Sequence, residues 1–155
     1  CAEKLLNNLH DYNLRARIMY ASTVALNGWN SYGKCGADWG VHSIGHILSV
    51  LFDLPHGASL SIAYPAWLKH HHKIAENKIK ELGIEIFGVD SVSKTIENFE
   101  NFFKSINCPV TLHDANILCD KHELFLNALL KNRVGGSVYA LSDNDIKKIF
   151  ALMAD

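Results

Sequence analysis

The chain has 155 residues, 48% of them hydrophobic and 20% charged, which suffices for one domain with a proper core and excludes a disordered chain. Fifteen Lys and Arg stand against sixteen Asp and Glu, for a formal net charge of −1. The basic residues are scattered, so no nucleic-acid footprint is present.

The dominant period is helical. Asp11 is a good N-cap, and Leu14, Ile18, Ala21 and Ala25 recur at spacings of three and four until the glycines of "NGWNSYGKCG" break the pattern. A second helix is predicted from Asp38, carrying Trp39, His42, His46 and Val50 as far as "FDLPHG". A third runs from about His56 through "ASLSIAYPAWLKHHHK". Pro65 lacks a backbone donor and should kink that helix or end its first half. "IAENKIKELG" reads as a fourth helix with Gly83 as its stop. "DSVSKTIENFENFFKSIN" is a fifth, capped by Asp90 or Ser91, with Ile96, Phe99, Phe103 and Ile106 on one face. "CPVTLHDANI" is an irregular connector. "DKHELFLNALLKNR" and "SDNDIKKIFALM" supply two more helices, the second opening on a capping box of Ser142 and Asp145. Only "GIEIFGV" and "GSVYAL" hint at strands, and both are short. The expected fold is one all-α domain over residues 1–155.

Four cysteines, Cys1, Cys35, Cys108 and Cys119, lie far apart with no C-x-x-C pair. That pattern is neither a disulfide framework nor a thiolate zinc site, and it fits a reducing cytoplasm. No apolar run approaches the ~20 residues that span a bilayer, and no secretory signal opens the chain. The first residue is Cys rather than Met, which fits a processed or truncated chain.

Histidine is the informative residue type, with nine in all. "VHSIGHILSVLFDLPHGAS" places His42 and His46 one helical turn apart, and His56 follows where a loop meets a new helix. Residues at that spacing have Cβ atoms about 5–6 Å apart, so both rings can reach a common centre. Gly57 permits a close approach of the third. Neutral imidazoles suit zinc, iron, copper or nickel, but such sites usually add a carboxylate. Asp38 lies one turn before His42 and within reach; its simpler role is the N-cap of that helix. Asp53 is expected in solvent. "KHHHK" at 69–73 points its side chains in different directions and reads as a solvated polar face. Trp39 and Trp67 would border the cluster if the helices pack as expected, with core packing as their default role.

The stretch "ADWGVHSIGHILSVLFDLPHGASLSIAYPAWLKH" resembles the iron-containing alcohol dehydrogenases, specifically the branch of bacterial NAD(P)H-dependent butanol dehydrogenases. The likeness extends upstream through "YNLRARIMYASTVALNG" and, more weakly, downstream through "FFKSINCPVTLHDANI". It implies the dehydroquinate synthase-like architecture, in which an N-terminal α/β domain binds the nicotinamide cofactor and a multi-helix C-terminal domain holds the metal. The resemblance implies His42 and His56 as metal ligands and His46 as a catalytic residue lining the substrate and cofactor cleft. The family's remaining ligands, an aspartate and a histidine one turn apart, fall on a helix before this chain begins, as does the cofactor domain.

The resemblance therefore implies the C-terminal part of an alcohol dehydrogenase that interconverts primary alcohols and aldehydes. Its cofactors would be a divalent metal (Fe2+ or Zn2+) and NAD(P)H, the latter held mainly by the missing N-terminal domain. The expected partner is a small alcohol or aldehyde, with no nucleic acid or membrane. The full-length protein is expected in the cytoplasm as a homodimer, and this chain alone is expected to be inactive. A non-catalytic helical metal-binding or interaction module is the rival reading, because a partial site suffices for it. A glycerol dehydrogenase-like relative shares the architecture, but the wording of "HSIGH" and "LPHGAS" favours the butanol dehydrogenase branch.

Overall fold

A computed structural model describes residues 1–33 and 36–154; Cys35 lies outside them. The chain divides into two compact units, Cys1–Ala37 and Asp38–Asp155. The described residues are helical, with eight α-helices and no strand. None of these helices is long and apolar enough to cross a membrane. The described cysteines, Cys1, Cys108 and Cys119, are free thiols.

The first unit contains α1 (Ala2–Asn7), which the sequence pattern did not reveal, and α2 (Tyr12–Leu26). Asp11 caps α2 as predicted, its carboxylate accepting from the Leu14 N–H at 2.9 Å. Leu14 and Ile18 are half-buried, Ala21 and Ala25 are exposed, and no residue of α2 is fully buried. Gly28, at φ +88°, turns the chain after the helix into a short 3-10 segment at Trp29–Ser31.

The second unit holds α3 (Gly40–Phe52), α4 (His56–His71), α5 (Glu76–Phe87), α6 (Val92–Ser105), α7 (His122–Lys131) and α8 (Asp143–Ala154). Its main core joins Ile44 and Leu48 of α3 to Ile62, Ala66 and Trp67 of α4, then to Phe125 and Leu129 of α7 and Ile149 and Met153 of α8. Burial of this apolar surface is the driving force that sets α3 and α4 against the C-terminal pair. A smaller cluster of Leu68, Ile79 and Ile96 seats α5 and α6 on α4. The irregular connector after α6 is tied down at two points. The Ser61 hydroxyl donates to the Pro109 carbonyl at 2.6 Å, and the Leu112 N–H donates to the Met153 carbonyl at 2.8 Å.

Several boundaries differ from the sequence reading. Pro65 does not end α4, which runs on to His71 with the proline buried inside it. Gly83 does not stop α5; the helix continues to Phe87 and ends at Gly88, whose φ of +68° is the left-handed cap. Gly83 serves packing instead, because a Cβ there would run into Thr95 of α6. The stretches that hinted at strands are the end of α5 and a loop before α8. Ser91, rather than Asp90, caps α6. The capping box of α8 is present. Asp145 accepts from the Ser142 N–H at 3.1 Å and from its hydroxyl at 2.6 Å, while the Asp145 N–H donates to Ser142 Oγ at 3.3 Å.

Candidate metal centre

Helix α3 brings His42 and His46 to one face because they stand one turn apart, and Pro55 starts α4 so that His56 is its first residue. The three rings meet. Their centroids are 5.2 Å apart for His42 and His56, 5.1 Å for His46 and His56, and 6.2 Å for His42 and His46. His42 is half-buried, whereas His46 and His56 are exposed. Burial, and after it the neighbouring His56 and His46 rings, holds the His42 imidazole below its ordinary value of 6.5. His42 therefore stays neutral, the form that offers a nitrogen lone pair to a metal ion.

Two imidazoles on one ion, each with a nitrogen at about 2.0–2.1 Å, hold their ring centres roughly 5 Å apart. The His42–His56 and His46–His56 pairs both meet that separation, so the spacing alone does not choose between them. Among the described residues, however, no three His, Cys, Asp or Glu side chains close on a single point. The described residues therefore bring imidazole rings together without an acid beside them, and do not by themselves form a closed ligand set.

Asp38 is neither the helix cap nor that acid. Trp39 stands at the N-cap position of α3, with no side-chain cap bond. The Asp38 Oδ1 instead accepts from the N–H groups of Val138 at 2.9 Å and Tyr139 at 3.2 Å, a hundred residues downstream. Sequence spacing carries no signal for such a contact. Gly57 is not required for the approach of His56 either, since a Cβ there would meet nothing within 4 Å. Asp53 is exposed, as expected, in the left-handed position that ends α3.

The two tryptophans part company. Trp39, though half-exposed, sets its ring against His42 with centroids 4.8 Å apart in an edge-on geometry. Trp67 is buried and packs over Gly40, where a Cβ would collide with its indole. The "KHHHK" run is not a solvated face. His71 is buried against Trp67 with centroids 4.2 Å apart, and its Nδ1 lies 2.9 Å from the Trp67 carbonyl. His70 reaches Asp145 at 3.4 Å. Only His72 and Lys73 are left exposed. A clue to His71 was its spacing of four from Trp67, which places the two rings on one helix face.

An all-helical fold with an imidazole cluster at the junction of two helices is the class of protein in hand. The chain belongs to the Fe-containing alcohol dehydrogenase family, whose C-terminal model matches residues 1–153. It is 33% identical to the probable NADH-dependent butanol dehydrogenase 1 of Bacillus subtilis, over 96% of this chain and 40% of that protein. It is 32% identical to NADH-dependent butanol dehydrogenase A of Clostridium acetobutylicum, over 90% of this chain and 38% of that protein. The crystal structure of NADH-dependent butanol dehydrogenase A from Thermotoga maritima superposes with a TM-score of 0.89 at 32% identity, covering 99% of this chain and 42% of that one. The chain thus spans about two-fifths of the length of the relatives it matches.

Proposed function

We propose that residues 1–155 form the helical metal-binding C-terminal domain of an NAD(P)H-dependent alcohol dehydrogenase acting on primary alcohols and aldehydes. The observation that carries this reading is the clustering of the His42, His46 and His56 rings, all with centroids within 6.2 Å of one another. Support comes from relatives named as NADH-dependent butanol dehydrogenases.

His42 and His56 would hold a divalent ion, iron or zinc, through neutral ring nitrogens. The chemistry supplied from outside these residues is Lewis-acid polarisation of the substrate oxygen and hydride exchange with the nicotinamide. His46 is exposed and lies beside His56. There it can hydrogen-bond the substrate oxygen and relay its proton, the general acid–base role that imidazole commonly takes. His42 is half-buried, with the Trp39 ring against it.

The test uses the full-length protein with NADH or NADPH and butyraldehyde, following nicotinamide absorbance. Turnover should disappear on chelation and return with Fe2+ or Zn2+. A chelated protein that still turns over at its full rate would overturn the metal assignment. The incomplete ligand set is the observation favouring a non-catalytic module; a full-length protein that binds metal yet shows no aldehyde-dependent oxidation would establish that reading instead.

A further inference from the structure

Asp38 is held on both sides. Its backbone carbonyl accepts from the Gly40 N–H at 2.9 Å, which tightens the turn leading into α3. Its carboxylate accepts from two successive amides of the loop before α8, those of Val138 and Tyr139. Gly136 lies against the same carboxylate, and a Cβ there would overlap it. The Oδ2 atom is buried with no hydrogen-bond partner among the described residues. Such an orphaned oxygen calls for an explanation beyond simple satisfaction of the backbone.

The rest of the turn is fixed by packing. Gly40 has no room for a side chain because Trp67 covers it. Tyr139, whose N–H is one of the two donors, lays its ring on His71 with centroids 4.8 Å apart, and His71 rests on Trp67. Asp38 therefore joins the loop at 138–139, the α4 aromatic pair and the first turn of α3. Between Asp38 and Gly40 stands Trp39, the residue whose ring edge meets His42. Asp38 and His42 also border one cleft of about 490 Å³, together with Val41, Leu60, Tyr64 and Phe103.

We propose that Asp38 is a positioning residue for His42. By pinning the loop at Val138–Tyr139 to the start of α3, it fixes the turn that presents Trp39, and Trp39 in turn holds the His42 ring toward His56. The part of this inference that concerns metal affinity rests on the proposed role of His42 as a ligand; the part that concerns ring orientation does not.

The experiment compares the 155-residue chain with D38A, D38N and G136A. D38A removes the acceptor, G136A displaces it, and D38N keeps an oxygen for the two amides. The first readout is the position of the His42 ring proton resonances in metal-free protein, which the Trp39 ring current shifts. The His122 ring, packed on Phe150 at 5.5 Å, serves as a remote control. The second readout is Zn2+ affinity. In D38A and G136A, His42 should lose its Trp39-dependent shift while His122 stays put, and Zn2+ should bind about tenfold more weakly, the usual effect of losing a group that orients a ligand. D38N should restore both readouts. An unmoved His42 in D38A and G136A would overturn the proposal. Loss of the His42 and His122 signals together in all three variants would overturn it too, making Asp38 an anchor of the whole unit. Should wild-type chain bind no Zn2+, the ligand reading fails by itself, and the His42 resonances still decide the role of Asp38.

Discussion

His42 and His46 sit one turn apart on the same helix yet differ in burial, and the proposed function gives them different roles, His42 as a ligand and His46 as a proton-transfer group. The inner ring is shielded and kept neutral, whereas the outer one stands in solvent. In the full-length protein, His42→Ala should strip the metal, and His46→Ala should lower turnover by about 10²–10⁴-fold, as expected for loss of a proton-transfer group, with metal content near normal. Elemental analysis of both variants, paired with rates, checks this; equal metal loss in the two would mean that His46 is itself a ligand. A second prediction concerns acid. Burial, acting first, lowers both His42 and His70 below 6.5; His42 is lowered further by its two histidine neighbours, and His70 by the charges of His71, Lys148 and His72 against the opposing pull of Asp145. The unfolded chain is then the better proton binder just below pH 6.5, so stability contributed by these groups is complete above 6.5 and is lost as pH falls toward their folded-state values. Asp114 and Asp145 are lowered from 3.8, chiefly by the Val110 N–H and the Ser142 hydroxyl respectively. Their contribution is present above 3.8 and lost only in stronger acid. Thermal unfolding of the metal-free chain should therefore show two declining steps, one below pH 6.5 and one below 3.8. A melting temperature that stays flat from pH 7.5 to 5.5 would contradict the first.

Helix contacts in the second unit depend on glycines that look alike in the sequence. Gly40 and Gly83 each lie under a neighbouring element, Trp67 in one case and Thr95 with the Val89 carbonyl in the other. Neither neighbour can retreat, since Trp67 is wedged against His71 and Thr95 is fully buried. Gly40→Ala and Gly83→Ala should each cost about 1–3 kcal/mol, the range for overpacking a filled core. Gly57, in the first turn of α4, has open space around it, so Gly57→Ala should be neutral or gain about 0.4–1 kcal/mol through the unfolded chain. Chemical denaturation of the three variants orders them, and a Gly40→Ala protein as stable as the Gly57→Ala one would refute the packing assignment. The caps of α2 and α8 and the amphipathic face of α6 could be read from local spacing, because the groups that make them lie within a turn or two of each other. The ends of α4 and α5 could not, because Pro65 is buried inside α4 and Gly83 is packed against Thr95 of the next helix, and the helices run past both residues.

At the scale of the whole chain, three imidazoles cluster with His56 about equally near His42 and His46, and no described carboxylate closes the set. The isolated 155-residue chain should fold, given the continuous core of its second unit, but bind metal weakly and exchangeably, because an ion on two neutral ligands keeps most of its water and charge. Purified chain supplied with iron or zinc, NADH or NADPH and butyraldehyde should show no turnover above the protein-free rate. Activity comparable to an ordinary alcohol dehydrogenase would mean that a closed ligand set and a nicotinamide site are contained in these residues.

Helical class, most helix starts and the histidine candidates were determined by the sequence itself, since capping, period and the spacing of four are local properties of the chain. The likeness carried by "HSIGH" and "LPHGAS" extended that reading to a family. Only tertiary structure decided that His56 folds back onto His42, that His71 is buried under Trp67 and that Asp38 holds a loop a hundred residues away. Those contacts arise from helices packing their apolar faces together, and a hydrogen bond or ring contact formed that way leaves no periodic trace in the residues that make it.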